Sequence, residues 1–95
     1  MNKSELVAAL AKETDLPLRK SEEIVNTVFD TMFRSLVDGD RIEIRGFGSF
    51  EIREYDKYLG RNPKTGDQIE VEGKRLPFFK AGKELRLRVD QPREN

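Results

Sequence analysis

Up to about residue 38 the apolar positions recur every three or four residues, which is the spacing of a helix face. Leu6, Val7 and Leu10 make a first stripe, with Ala8, Ala9 and Ala11 between them as strong helix formers. Asn2 stands three residues before Glu5, the spacing of a capping box. These signals predict a first helix over residues 3–13. Asp15-Leu16-Pro17 interrupts it, because a residue before proline avoids the helical region. The wider stripe of Ile24, Val25, Val28, Phe29, Met32, Leu36 and Val37 predicts a second helix over 18–38, with Gly39 as a left-handed cap.

From residue 41 the period falls to two. In Arg41-Ile42-Glu43-Ile44-Arg45 the isoleucines share one side and the charges the other, as a half-buried strand requires. Gly46-Phe47-Gly48 reads as a turn, and Ser49 to Tyr55 as a second strand carrying Phe50 and Ile52. Gly60-Arg61-Asn62-Pro63-Lys64-Thr65-Gly66 is dense in turn formers. Ile69 and Val71 then alternate with Glu70 and Glu72, so a returning strand is expected. The pattern predicts a long hairpin over 53–80 with its tip at 60–66, then a short helix over 82–89 presenting Leu85 and Val89. Residues 1–90 form one expected domain, and the tail 91–95 is expected to be disordered.

This arrangement does not close on itself. Between residues 54 and 68 only Tyr55, Tyr58 and Leu59 are apolar enough to bury, and such a ribbon is marginal in water without support. The second helix, by contrast, has more apolar surface than one short helix and a small sheet can cover. The expected fold class is therefore α+β. Two chains are expected to share one core built from their apolar helices and phenylalanines, with one β-ribbon arm projecting per chain.

Composition removes several function classes. The 95 residues contain no cysteine and no histidine, so thiolate metal sites, disulfides and the usual general base are all absent. No catalytic residue, metal or cofactor is expected. No apolar run approaches a membrane span, and the N-terminus lacks the apolar core of a signal peptide, so a cytoplasmic location is expected. Eighteen basic residues balance eighteen acidic ones, which alone argues against nucleic acid. Their distribution argues for it. Residues 1–40 carry five basic and eight acidic side chains, whereas residues 57–88 carry nine basic and four acidic.

The Gly60–Gly66 loop concentrates the chemistry. Its composition suits an ordinary solvated turn. It also puts Arg61 and Lys64 on a narrow tip, suited to the negative potential of the DNA minor groove, beside a rigid Pro63 able to wedge between base pairs. A phosphate-binding P-loop is a poor match, since Gly66 is followed by Asp67-Gln68 rather than Lys-Ser/Thr. Gly46-Phe47-Gly48 lacks the third glycine of a dinucleotide fingerprint. A helix-turn-helix reading of the first two helices fails because the second is too apolar for a recognition helix.

Three motifs then stand in order: Arg41-Ile-Glu-Ile-Arg-Gly-Phe-Gly-Ser-Phe50, Gly60-Arg-Asn-Pro-Lys-Thr-Gly66 and Phe79-Lys-Ala-Gly-Lys-Glu-Leu85. Together with the opening Asn2-Lys-Ser-Glu-Leu6, they resemble the bacterial HU and integration host factor family over nearly the whole chain, with features of the β-type branch. The resemblance implies a nucleoid-associated, intertwined dimer with a helical body, a saddle of short antiparallel strands and two arms that wrap double-stranded DNA. Such a protein bends DNA with proline wedges, a use for which this family supplies the reference cases. It implies that Pro63 intercalates and that Arg61, Asn62 and Lys64 enter the minor groove beside it. Arg53, Lys74, Arg75, Lys80 and Lys83 match positions that touch the DNA backbone, and Lys3 matches a flank contact. Phe47, Phe50 and Phe79 are expected in the shared core. Arg45, oriented by Glu43, is a candidate for sequence preference; the competing expectation is a solvated pair between the two. Whether the partner subunit is identical or a paralogue stays open.

The chain departs from the family's basic character at Glu51, Glu54 and Asp56 near the arm base, and at Tyr55, Tyr58 and Leu59 on the arm. Fewer phosphate contacts imply lower affinity and a shallower salt dependence. The near-neutral charge also motivates a second function class, a homodimeric module whose arm binds protein.

Overall fold

The computed structural model describes residues 1–92. Helix α1 spans Lys3–Thr14 and α2 spans Leu18–Val37. Asn2 caps α1, its side chain accepting the Glu5 N–H at 2.8 Å. The chain leaves α1 through Asp15, which takes a left-handed conformation with φ 56°. Pro17 then opens α2 with its φ fixed at −57°. Ser21 is fully buried between the helices and returns its hydroxyl to the Pro17 carbonyl at 3.1 Å.

Strands β1 (Ile42–Ile44), β2 (Gly48–Tyr55) and β5 (Lys74–Ala81) form an antiparallel sheet in the order β1-β2-β5. The register pairs Ile42 with Phe50 and Phe50 with Phe79, so these three share one side. That side packs toward the helices. The ring of Phe79 lies 4.7 Å from Phe50 and 5.5 Å from Phe47, both tilted, the arrangement aromatic pairs prefer. The close packing explains Gly48: a Cβ there would stand 2.5 Å from the Lys80 carbonyl oxygen and 2.8 Å from the Phe79 ring.

Beyond Tyr55 the ribbon continues as β3 (Tyr58–Arg61) and β4 (Gln68–Val71). The ladder lapses at Asp56-Lys57 on one strand and Glu72-Gly73 on the other. It resumes at Tyr58↔Val71 with no residue gained or lost after Tyr55↔Lys74. Helix α3 (Lys83–Val89) follows β5 and is pinned to the β1–β2 turn by Leu85 N–H to the Gly46 carbonyl at 3.1 Å. The helix boundaries expected from periodicity fall within a residue of the observed ones, whereas the ribbon pairs from Gly48↔Ala81 outward rather than from residue 53. Of the expected disordered tail, residues 93–95 lie outside the described residues.

A single copy does not complete a core. Among the described apolar residues only Val7 and Val25 are buried, while Phe33 is 68% and Val37 71% exposed along α2. Phe47 and Phe79 at the sheet also remain partly open. The radius of gyration is 19.7 Å; a compact chain of this length has about 12–13 Å. Helical stripes and phenylalanines left open in this way are the apolar surface that the expected dimer buries.

Candidate nucleic-acid interface

Period-two alternation gives the β1-β2-β5 sheet a second side, facing away from the helices. By register it carries Glu43, Ser49, Glu51, Arg53 and Tyr55, opposite Lys80, Phe78, Leu76 and Lys74. Arg41 joins them at the flank of β1, within 3.9 Å of Glu51. The surface is thus a set of cations interleaved with the apolar Phe78 and Leu76 and with the carboxylates of Glu43 and Glu51. Arg53 is the best fixed of these. Its guanidinium carbon lies 3.4 Å from the centroid of the Phe78 ring, and its Nε lies 3.4 Å from Glu51. Stacking of guanidinium on an aromatic face is worth about 0.5–1 kcal/mol at an exposed site.

A cleft beside this surface, where α3 meets the β1–β2 turn, gathers Arg41, Arg45, Lys80, Lys83 and Arg86 around the single carboxylate of Glu43. Glu43 and Arg45 form no ion pair with each other among the described residues. Arg86 was not singled out from the sequence, although it lies one helical turn after Lys83, where two side chains share a face. Arg41 was legible by alternation from Arg45.

The arm tip is a six-residue loop tied at both ends. The Asn62 N–H donates to the Asp67 carbonyl at 2.8 Å, and the Gly66 N–H to the Asn62 carbonyl at 2.7 Å. Inside it, Asn62 Oδ1 accepts the Lys64 N–H at 2.9 Å, and Thr65 Oγ1 accepts the Asp67 N–H at 3.3 Å. Gly66 turns with φ 73°, in space open enough for a side chain but in a conformation few residues adopt. Pro63 and Lys64 are left exposed at the end of the ribbon, with Arg61 at the last ladder position before them. Asn62 therefore builds the tip as well as standing beside Pro63.

Two of the residues singled out from the sequence lie elsewhere. Arg75 is on the helix side of the sheet. It pairs with Glu54 directly across the ribbon at 3.4 Å and reaches Gly39 at the end of α2, where a Cβ would stand 3.2 Å from its Nη2. Period-two alternation counted from the core residue Phe79 puts residue 75 on that side. Lys3 lines a groove between the start of α1 and the middle of α2, with Asn26, Phe29 and Asp30, and does not join the sheet cations within one chain.

The chain is 54% identical over 91 residues to the integration host factor subunit beta of Bordetella parapertussis, covering 95% of this chain and 76% of that one. Against the same subunit of Haemophilus influenzae the identity is 50%, covering 95% and 97%. Among solved structures, an HU–DNA cocrystal structure from Anabaena is similar, with a TM-score of 0.83 and 38% identity over 97% of this chain and all of that one. HU from Thermotoga maritima, as its V42I mutant, gives 0.70 and 31%. The family model described as bacterial DNA-binding protein matches residues 1–90, and the chain belongs to that family.

Proposed function

We propose that this chain is one subunit of a dimeric architectural protein that binds double-stranded DNA and bends it, acting on the nucleoid in the cytoplasm. The observation that carries this is the arm tip. A loop closed by four hydrogen bonds presents an apolar, rotationally fixed Pro63 between Arg61 and Lys64, at the end of a ribbon too polar to pack on its own chain. Such a tip enters the minor groove, and the proline separates a base step. Unstacking costs a few kcal/mol, offset by the protein surface that the bent duplex then reaches. The role asks for no catalytic group.

The sheet side carrying Arg53, Lys74 and Lys80 receives the backbone of the bent duplex, with the Arg45, Lys80 and Lys83 cleft continuing the path toward α3. Lys3 serves a flank that passes the helical body. Arg75 belongs to the scaffold that holds the arm base to α2. Arg45 and Glu43, unpaired with each other, are free to face a groove, and Arg45 is the residue we assign to any preference for sequence.

Fluorescence energy transfer across an end-labelled duplex of about three helical turns tests the reading. Wild type is expected to bring the ends together at low salt, while Pro63→Ala binds but bends less. Absence of binding to intact and nicked duplex alike would refute it and favour a protein ligand for the arm.

A further inference from the structure

Glu51 sits in the middle of the cationic sheet side. Its Oε2 lies 3.9 Å from Arg41 Nη1, and its Oε1 lies 3.4 Å from Arg53 Nε and 3.5 Å from Arg53 Nη2. The two cations come from different places, one flanking β1 and one on β2. The Glu51 side chain is 36% exposed, against 74% for Glu54, which pairs with Arg75 on the opposite side of the same ribbon. Arg53 rests on the ring of Phe78, and the register sets Phe78 directly across from Glu51. The guanidinium thus has a fixed seat with one anion already beside it.

A DNA phosphate makes the same demand on this seat as the carboxylate does, an oxygen against the guanidinium fork. We infer that Glu51 holds the place of a DNA phosphate on this side of the sheet, and that DNA seats there by displacing the carboxylate from Arg53 while Phe78 keeps the guanidinium in position. The inference rests on the DNA-binding role proposed above and adds a residue that restrains it. A freed Glu51 takes up a cation from solution as the duplex sheds one, so the exchange adds little to the salt-driven part of binding. What remains is the energy of the tips, which depends on how easily a base step opens. Glu51 is thereby a specificity-determining residue: it weakens binding to uniform duplex more than binding to duplex already able to kink.

The test compares wild type, Glu51→Gln and Glu51→Ser on intact and nicked duplexes across a salt series, with thermal melts of each protein. Glu54→Gln is the control, an equal change of charge on the other side of the ribbon. The glutamine variant is expected to bind intact duplex roughly three- to tenfold more tightly, with a log–log salt slope steeper by about one unit. Its gain on nicked duplex is expected to be smaller, so the preference for nicked DNA falls. The serine variant should behave alike, which separates loss of the carboxylate from any change in folding. Unchanged affinity and slope in both Glu51 variants would overturn the inference, as would an equal gain in Glu54→Gln. If wild type and all variants fail to bind either duplex, the DNA-binding role fails and takes the inference with it. A binding wild type beside inert Glu51 variants sinks the inference alone.

Discussion

The side-chain oxygen of Asn62 accepts the main-chain N–H of Lys64 at 2.9 Å, closing a small ring of atoms around Pro63. This is the turn that asparagine makes with its own chain two residues on. It fixes the direction in which the proline ring points. Asn62→Ala should leave the melting temperature unchanged, because the tip contributes nothing to the core. The loss of roughly 0.5–1.5 kcal/mol of local hydrogen bonding should cut affinity for kinked DNA about three- to tenfold. Energy transfer at saturating protein then reports whether the bend itself is shallower.

Phe78 contributes in two ways, as the floor under Arg53 and as the cross-strand neighbour of Glu51. Phe78→Ala should destabilise the fold by about 1 kcal/mol, the combined order of an exposed cation–π contact and one cross-strand pair. Binding to duplex should weaken by several-fold at low salt. Urea unfolding and titration of labelled duplex measure the two effects separately, and an Arg53→Ala background should abolish the binding part.

Arg86 and Arg75 make a matched pair of tests. Both are arginines on the C-terminal third of the chain, but one lines the cleft with Lys83 and the other packs beside Gly39. Arg86→Ala should lower the salt slope by about one unit at unchanged stability. Arg75→Ala should do the reverse, with a modest loss of stability and a nearly unchanged slope.

Gly48→Ala should be among the most damaging small changes. The added methyl would meet both the Lys80 carbonyl oxygen and the Phe79 ring at under 3 Å, at a backbone φ of 157°. Overpacking of this kind costs about 1–3 kcal/mol. A urea midpoint within error of wild type would show that the sheet relaxes around it.

Stability should depend on protein concentration. Phe33 and Val37 are largely exposed in one chain, and the proposed dimer places them between chains. The melting temperature should therefore rise as concentration rises, as linkage of folding to association requires. A constant value over a hundredfold range would mean that one chain folds by itself.

Much of this was legible before any coordinates. The helices announced themselves through their stripes and through Asn2 and Pro17, because a cap or a proline acts locally and needs no tertiary context. The tip was legible for the same reason. Harder to read was which side each strand residue faces. Phe78 and Phe79 are adjacent and equally apolar, so alternation alone does not say which enters the core. The register resolves it by pairing Phe79 with Phe50, and Arg75 turns inward as a consequence. The stacking of Arg53 on Phe78 and the double pairing of Glu51 depend on that same register and were invisible without it. Arg86 escaped because its place beside Arg41 and Lys80 depends on how α3 docks on the β1–β2 turn.

The lapse in the ladder at Asp56-Lys57 and Glu72-Gly73 makes the arm a ruler whose length is set separately from its aim. Pairing resumes after it in unbroken count, so every side chain beyond keeps the alternation set at the sheet. Adding one residue to a single strand would turn the wedge away from the groove. Adding two to each strand would carry it about 6–7 Å farther along with its aim unchanged. Reach along DNA is therefore a quantity that relatives of this protein can change in matched pairs, and only in matched pairs, without rebuilding the body that holds the arm.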